Sequence, residues 1–415
     1  MERRDFLLKS SILTLGAGIG LMGCNQTAAP VVVPDGERIR VGIIGLGDRG
    51  STLIKVLNAL PQFKVIAACD ILDFRLKKGL ENINDKAVGY SDYQKMLENK
   101  DLETVIISTP LHEHHRMVMD ALDRDVHILC EKALAHTIEQ SREIKIKANN
   151  SSKLFQISYQ YQLNPTFNVI KEIIHKGYLG KVMRVDAKWH RNSNWLRPVP
   201  SPELERQINW RMYKEYSGGL MAELGSHHLN MIDNVIGAHP VKVVGTGGID
   251  YWKDHREVCD NVFAIYDYPD GVKASFSSIL SNKFEDQTIK FYGDKGTIVV
   301  NRMKDAILYT EDNENAGWGE DIDGVSGASI KIINRDKDNR RTIDLPKEYA
   351  KSVVFENDYE QATLLLLKNF AAAINGEEEL SLGLKDGYQS AISVHMANKA
   401  IREENIQHWL PEYDV

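Results

Sequence analysis

The chain has 415 residues, 43% of them hydrophobic, so it is long enough for two domains with their own cores and too apolar to be disordered throughout. Its 51 Lys and Arg residues are outnumbered by 58 Asp and Glu residues, which gives a net charge of −7. That balance offers no basic surface, so we expect no nucleic-acid partner.

The first 24 residues have the features of an export signal. Paired arginines at positions 3–4 precede an apolar stretch, residues 12–22, that is too short to span a bilayer as an ordinary helix. The paired arginines, together with Phe6, favour the twin-arginine route of export. Residues 21–24 resemble a lipoprotein processing site, so we expect a periplasmic protein or a lipoprotein whose only membrane contact is a lipid on Cys24. The alternative is a buried N-terminal helix with an incidental cysteine.

A short tether and two domains follow the signal. Residues 25–37 contain two prolines and a glycine and are predicted to be flexible. Strand and helix patterns alternate over residues 38–158, which predicts βαβ units and a parallel sheet. Residues 159–415 instead contain successive strand-like runs with turns between them, which predicts a mostly antiparallel sheet, followed by two helices. Residues 311–341 are rich in Asn, Asp and Gly and are predicted to form a long loop or irregular hairpin.

A glycine-rich turn begins the first domain. The apolar run 39–44 leads into Gly45-Leu46-Gly47-Asp48-Arg49-Gly50, and a helical pattern follows. In a dinucleotide-binding unit, Gly45 would allow the tight turn, Gly47 would let the backbone approach a pyrophosphate, and Gly50 would let helix and strand pack closely. A plain glycine turn without a cofactor is the alternative.

Asp70 ends the next apolar run, about 20 residues beyond the glycines, where a dinucleotide-binding motif has an acidic residue. Its carboxylate favours NAD, because it would bond the ribose 2′-hydroxyl and repel a 2′-phosphate. NADP is the less favoured alternative cofactor, since an arginine at position 75 would accept that phosphate.

Three histidines follow the next strand, at positions 112, 114 and 115. Their spacing does not place them on one helical face and no further ligand pattern completes a site, so we expect no metal. Thr109 and Pro110 instead end the strand at the edge of the sheet where ligands of open α/β folds bind.

Glu131 and Lys132 lie directly at the end of another apolar strand. A lysine there could donate to a substrate hydroxyl and pass a proton, and burial would disfavour its charged form. A solvated ion pair at a strand end is the alternative reading.

A third motif runs from Gly218 to Asp233. On a continuous helix, Glu223, His227 and Asn230 would share one face, so that the carboxylate would orient the imidazole and raise its basicity. His228 would be rotated away by about 100° and is expected to be structural or at the rim of a substrate site. A polar helix face without chemistry is the alternative.

These motifs together resemble the glucose-fructose oxidoreductase, inositol dehydrogenase and MocA (Gfo/Idh/MocA) family. Further points of resemblance are Asn164-Pro165 and the Gly177-Tyr-Leu-Gly180-Lys sequence. The resemblance covers the chain from residue 38 onward. It implies an α/β protein with an N-terminal Rossmann domain, a C-terminal α/β domain with a large, mostly antiparallel open sheet, a nicotinamide cofactor, and homo-oligomers formed through that sheet.

The resemblance also implies that Lys132, Glu223 and His227 carry the chemistry, with lysine and histidine handling a hydroxyl proton while hydride moves to or from the nicotinamide. Three residues depart from the family pattern: Ala133, Glu223 and Asn230 stand where proline, aspartate and aspartate are usual. The cofactor contacts we expect are Gly45, Leu46, Gly47, Asp48, Arg49, Gly50, Asp70, Thr109, Pro110, His114, Glu131 and Lys132.

The expected substrate is a sugar or glycoside, because aromatic and hydrogen-bonding residues surround the expected site. The alternative for each of these aromatics is an ordinary core or interface residue. The candidate contacts are Gln160, Trp210, Arg211, Tyr213 and His228. Some exported relatives oxidise position 3 of glucosides, which would require an external electron acceptor or a second sugar. Because free NAD is scarce outside the cytoplasm, an exported enzyme would hold its NAD tightly. The alternatives are a redox-neutral NAD-dependent glycosidase and a non-catalytic binding protein.

Overall fold

The computed structural model describes residues 33–303, 305–311, 329–333 and 358–415. The predicted export signal, most of the predicted tether and most of the segment 311–341 lie outside these residues. None of the helices in the described ranges has the length and apolar character needed to cross a membrane.

The first domain is built on a six-stranded parallel sheet with the order β3-β2-β1-β4-β5-β6. The order reverses beside β1, which opens a crevice between the carboxyl ends of β1 and β4. The strands are β1 Ile39–Ile44, β2 Phe63–Cys69, β3 Val88–Tyr90, β4 Thr104–Ile107, β5 His127–Cys130 and β6 Phe155–Ile157, and the helices are α1 Asp48–Leu57, α2 Asp73–Asn82, α3 Tyr93–Leu97, α4 His114–Asp123 and α5 Ile138–Ala148.

The parallel pairing of these strands confirms the predicted parallel sheet, and the strands are mostly apolar. All four residues of β4 are fully buried, as expected for a strand covered on both faces. Local capping fixes the helix starts: Asp92 accepts a hydrogen bond from the N–H of Gln94, and Thr137 accepts one from that of Gln140. Strand β3 is not predicted from the sequence, since its three residues are too few to show a period.

The second domain is built on a nine-stranded sheet with the order β14-β13-β12-β11-β7-β10-β9-β8-β15. All its neighbouring pairs in the described strands are antiparallel except β7 with β10, so the predicted mostly antiparallel sheet is confirmed. The strands are β7 Val182–Trp189, β8 Lys242–Gly248, β9 Asn261–Asp267, β10 Lys273–Ile279, β11 Gln287–Gly293, β12 Gly296–Asn301, β13 Asp305–Thr310, β14 Ser329–Ile333 and β15 Gln407–His408.

In the described ranges, five α-helices accompany this sheet. Helix α6 starts at Asn164, whose side chain accepts a hydrogen bond from the N–H of Thr166, and it has Pro165 at its first position. The helices are α6 Pro165–His175, α7 Glu205–Ile208, α8 Ser226–Ile236, α9 Asp358–Ile374 and α10 Leu384–Glu403. Strands β13 and β14 pair antiparallel, and most of the segment 311–341 that was predicted to be a loop or irregular hairpin lies outside the described residues.

The last two helices return to the first domain. Lys55 of α1 lies 2.7 Å from Glu360 of α9, and His395 Nε2 of α10 lies 2.9 Å from the carbonyl oxygen of Ala135. A methyl group at Gly387 would come within 2.2 Å of Ile157 on β6, so glycine lets α10 pack closely on the first sheet. The two sheets are therefore held together by the end of the chain.

Candidate active site

A cavity of about 870 Å³ lies at the carboxyl edge of the first sheet, between the two domains. Its floor comes from the glycine turn and the ends of β2, β4 and β5. Its roof comes from a segment between β7 and α8. Among the sequence-predicted residues, the cavity is lined by Gly45, Leu46, Gly47, Asp48, Arg49, Asp70, Thr109, Pro110, His114, Glu131, Lys132, Trp210, Arg211 and Glu223.

The glycine turn has the geometry of a phosphate cradle. Gly45 has φ of 91°, and a methyl group there would lie 2.6 Å from the carbonyl oxygen of Ser108. A methyl group at Gly50 would lie 2.0 Å from the carbonyl oxygen of Gly45, so α1 packs against the turn only with glycine there. A methyl group at Gly47 would lie 3.6 Å from Nη1 of Arg75, its nearest neighbour, so the space above this glycine is open. No side chain caps the N–H groups that begin α1. These N–H groups fit a bound pyrophosphate.

Asp70 is tied to this turn through the backbone. Its two carboxylate oxygens accept hydrogen bonds from the N–H of Leu46 and from that of Leu72, each 2.8 Å long. The carboxylate also lines the cavity, which fits a ribose whose hydroxyls donate to its remaining lone pairs. Arg75 and Lys78, from the segment that follows Asp70, line the same cavity.

Arg49 joins the glycine turn to the second domain. Its buried guanidinium pairs with Glu131, donates to the hydroxyl of Ser158 at 3.0 Å and donates to that of Thr363 at 2.8 Å. It also lies 4.9 Å from the ring centre of Tyr359. Arg49 and Glu131 therefore neutralise each other's charge within the wall of the cavity. The alternative of a solvated Glu131-Lys132 ion pair is wrong, since Glu131 pairs with Arg49 and is buried.

His114 connects the ends of β4 and β5. Its Nδ1 lies 2.9 Å from the carbonyl oxygen of Ala133, and its Nε2 lies 3.0 Å from that of Thr109. The ring is buried and would position these two strand ends. His115 instead pairs with Glu143, and the described residues contain no cluster of metal-ligating side chains.

Lys132 lies where β5 opens into the cavity. Its Nζ donates a 3.0 Å hydrogen bond to the backbone carbonyl oxygen of Glu223. Burial lowers the pKa of Lys132, and the nearby carboxylates only partly offset that effect. Burial therefore disfavours the charged form of this amine.

Glu223 does not orient His227 as predicted. Residues Met221–Gly225 form a π-helical turn, and the Glu223 carboxylate accepts a 2.8 Å hydrogen bond from Nε of Arg211. Asn230 bonds to Gln162 and Ser390, away from the cavity. The expectation that a carboxylate raises the basicity of His227 is therefore wrong, because the π turn changes the angle between Glu223 and the helix that follows.

His227 lies in an aromatic enclosure beside Lys132. Its ring centre is 5.0 Å from that of Tyr161, 5.8 Å from that of Trp189 and 5.9 Å from that of Tyr159. Burial first, and then the charge of Lys132, lower the pKa of His227 well below its ordinary value. Nδ1 has no hydrogen-bond partner in the part of the chain that is described. The imidazole is therefore neutral at neutral pH and can accept a hydrogen bond.

The structure brings two of the five candidate substrate residues to the cavity. Trp210 and Arg211 line it, whereas Gln160, Tyr213 and His228 do not. His228 is fully buried against Trp189 and Phe276, and burial lowers its pKa to about 4, which fits the structural role considered for it.

Sequence reasoning missed several residues of the cavity wall. Arg197 reaches across from the roof and lies 2.7 Å from Asp48 of the glycine turn. Tyr359 comes from α9, far along the chain, and Arg206 and Gln207 come from the roof. No local pattern marks these residues, because their approach depends on how the two domains meet.

Comparison with known families agrees with this geometry. Residues 39–159 match the model described as the oxidoreductase family with an NAD-binding Rossmann fold. Residues 167–299 match the GFO/IDH/MocA C-terminal domain. The chain belongs to the GFO/IDH/MocA oxidoreductase family. Its first domain is the NAD-binding domain of that family, and the glycine turn with Asp70 fits that cofactor.

Individual relatives are distant. The chain is 29% identical to the inositol 2-dehydrogenase of Salmonella typhimurium over 40% of this chain and 49% of that protein. It is 24% identical to glycosyl hydrolase family 109 protein 1 of Shewanella sp. strain ANA-3 over 51% of this chain and 50% of that protein. The matches thus span about half the length of both relatives.

A solved levoglucosan dehydrogenase in complex with NADH and levoglucosan has the same fold. The superposition has a TM-score of 0.72 and covers 89% of this chain and 99% of the other, at 17% identity.

Proposed function

We propose that this protein is an NAD(H)-dependent dehydrogenase that oxidises a hydroxyl of a sugar or glycoside, with oxidation at position 3 of a glycoside as its specific reaction. The observation that carries the proposal is the position of Lys132. Its partly buried amine lines the same cavity as the glycine turn, at the carboxyl edge of the NAD-binding sheet. A proton-exchanging group beside the cofactor is what alcohol oxidation requires.

In this proposal the protein supplies positioning and proton transfer. Bound NAD would supply a hydride acceptor. Lys132, held by the Glu223 carbonyl oxygen, accepts the substrate hydroxyl proton in its neutral form, which its lowered pKa makes accessible. Neutral His227 accepts a hydrogen bond from the same or a neighbouring hydroxyl. Trp210 and Arg211 lie on the wall where a sugar would bind, and Arg211 holds Glu223 in place.

Two other functions would use the same cavity. A redox-neutral NAD-dependent glycosidase is supported by the similarity to a glycosyl hydrolase family 109 protein. The Gly-His-Gly-Gly-Met-Asp type motif of that branch is absent from the sequence, which favours the dehydrogenase. A non-catalytic binding protein is disfavoured by the presence of Lys132, Glu223 and His227.

A screen of glycosides with and without an external electron acceptor separates these three functions. We expect a keto sugar that accumulates only when acceptor is present. Free sugar formed without acceptor would indicate the glycosidase, and neither product would indicate a binding protein. In the same screen, Lys132→Ala and His227→Ala should abolish turnover while NAD stays bound, and normal turnover in either would contradict the assigned roles.

The setting of this reaction is part of the proposal. The N-terminal sequence supports export by the twin-arginine route and a lipid anchor on Cys24. An exported enzyme would hold NAD tightly and regenerate it with an external acceptor or a second sugar. The open face of the nine-stranded sheet supports a homo-oligomer.

A further inference from the structure

Arg197 brings a positive charge from the second domain to the glycine turn. It lies in the roof of the cavity, between β7 and α7, and lines that cavity. Its Nη2 is 2.7 Å from Oδ2 of Asp48, the first residue of α1. The roof therefore reaches the point where the N–H groups that begin α1 fit a pyrophosphate.

The backbone of Arg197 is fixed independently of this ion pair. The buried side chain of Asn209 accepts a 2.7 Å hydrogen bond from the N–H of Arg197 and donates a 3.0 Å hydrogen bond to its carbonyl oxygen. Earlier in the same segment, the carbonyl oxygen of Asn194 accepts a 2.7 Å hydrogen bond from Arg256, whose side chain is fully buried. The segment that carries Arg197 is thus held by buried groups of its own domain.

The ion pair with Asp48 adds little to the stability of the roof. The side chains of Arg197 and Asp48 are 57% and 78% exposed, and an exposed ion pair contributes about 0–1 kcal/mol because water and salt screen it. A guanidinium that is anchored through its backbone and paired so weakly is available to a second anion.

The charges of the glycine turn indicate which anion that is. Arg49, the cation within the turn, points into the wall of the cavity and pairs with Glu131. Asp48 adds a negative charge, which suits the start of a helix but repels a bound pyrophosphate. Arg75 of the first domain lies close to the turn and lines the cavity. Arg197 supplies a further positive charge from the second domain, and it also neutralises Asp48.

We propose that Arg197 is a pyrophosphate-binding residue for NAD, contributed by the second domain. A guanidinium has more N–H donors than one carboxylate accepts from, so Arg197 would bond a phosphate oxygen and remain beside Asp48. The cofactor would then be held by both domains, and its release would require that contact to break. The inference concerns cofactor binding alone and does not depend on the proposed reaction.

The test measures the release of NADH from the full chain, without any sugar. The NADH-loaded protein is mixed with excess NAD, and the loss of bound-NADH fluorescence gives the release rate. We expect Arg197→Gln to release NADH about tenfold faster or more, because a hydrogen bond to a charged group is lost. Arg197→Lys should release it at an intermediate rate, since it keeps the charge without the planar donors. Because Arg197 is more than half exposed, neither substitution should affect folding.

Displacement of NADH by ADP and by adenosine identifies the group that Arg197 binds. ADP carries a pyrophosphate, whereas adenosine carries no phosphate. Arg197→Gln should weaken ADP by about the same factor as NADH and should change adenosine by less than about threefold. An equal loss for adenosine would mean that the arginine only shapes the roof, and would overturn the proposal.

Asp48→Asn separates pyrophosphate binding from a simple latch. We expect this variant to hold NADH at least as tightly as the wild type, because a repelling charge is removed while Asn209 still anchors Arg197. A latch formed by the Arg197–Asp48 pair would instead open in both variants. Faster release from Asp48→Asn, or an unchanged rate in Arg197→Gln, would therefore contradict the assignment.

Arg402→Gln is the matched control. Arg402 is an arginine of α10 that is 69% exposed and does not line the cavity. This variant should release NADH at the wild-type rate, so that a change confined to the position-197 variants identifies the contribution of the roof.

Discussion

Lys132 owes its position to contacts that are distant in the sequence. The amine is held by the carbonyl oxygen of Glu223, 91 residues further along the chain, and the strand end that carries it is positioned by His114. Asp70 is comparable, because it binds the turn that follows β1 and the start of the connection to α2. In both cases a short polar contact places a charged group at the edge of the sheet.

Replacing Asp70 by Ala should weaken NAD binding by about tenfold or more, and should weaken NADP binding less. Both cofactors lose the order that the carboxylate gives to the glycine turn, but only NAD loses a partner for its 2′-hydroxyl. Titration of each cofactor, followed by tryptophan fluorescence, measures the two effects. Asp73→Ala, an exposed neighbour, is the control. Equal losses for NAD and NADP would remove the assignment.

At the scale of helices, strands and turns, the sequence predicted those whose residue pattern lies within a few neighbouring positions. The Gly45 turn and the strand before Lys132 carry their patterns within a few residues, and the structure has them in place. Glu223 could not be placed correctly, because helix periodicity was extended through residues that form a π turn. A π turn adds a residue to the repeat, so a spacing of four no longer keeps Glu223 and His227 on one face.

Helix α8 also contains a titratable group whose burial should make stability depend on pH. Asp233 accepts a 2.6 Å hydrogen bond from the hydroxyl of Tyr268, and burial raises its pKa to about 8. The folded protein therefore binds more protons than the unfolded chain between about pH 4 and pH 8. The contribution of Asp233 to the free energy of unfolding is most favourable in acid and is lost as the pH rises through this range.

Asp233→Asn should remove this dependence, because the amide stays neutral and still accepts from Tyr268. We expect the variant to gain about 4 kcal/mol relative to wild type between pH 5 and pH 8.5, because the pKa of Asp233 is raised from 3.8 to about 8, and urea unfolding measures this gain. Asp123→Asn, at an exposed position, should change little. Parallel pH curves for wild type and Asp233→Asn would contradict the assignment.

At the scale of the whole molecule, the two sheets share one boundary. Arg49 contacts Glu131 in the first domain and Thr363 on α9, and Arg197 spans the cavity to Asp48. These contacts were not predictable from the sequence, because they depend on how distant segments of the chain meet at the boundary between the two domains. Both sheet types were predictable, since alternating strand and helix patterns indicate the parallel sheet and successive strand-like runs indicate the antiparallel one.

The outer face of the nine-stranded sheet exposes apolar side chains that suit an oligomer interface. Phe263 and Ile265 alternate with buried residues on β9 and are 42% and 38% exposed, and Val244 lies opposite Ile265 on β8.

We expect the wild-type protein to be oligomeric and Phe263→Glu to shift it toward the monomer, measured by light scattering on a sizing column. Ile146→Glu, at an exposed apolar position in the first domain, is the control and should not change the mass. A monomeric wild type, or an unchanged mass in Phe263→Glu, would contradict this interface.

The most direct test of the account is the rate at which a sugar substrate reduces the bound nicotinamide in a single turnover, measured across pH. We predict that the wild-type rate rises with pH toward the pKa of Lys132, which burial places below its ordinary value, because only the neutral amine accepts the hydroxyl proton. Lys132→Ala should lower the rate by about 100-fold or more and lose that pH dependence while still holding NAD, and Lys273→Ala should behave as wild type. A Lys132→Ala protein that reduces its nicotinamide at the wild-type rate would contradict the central claim.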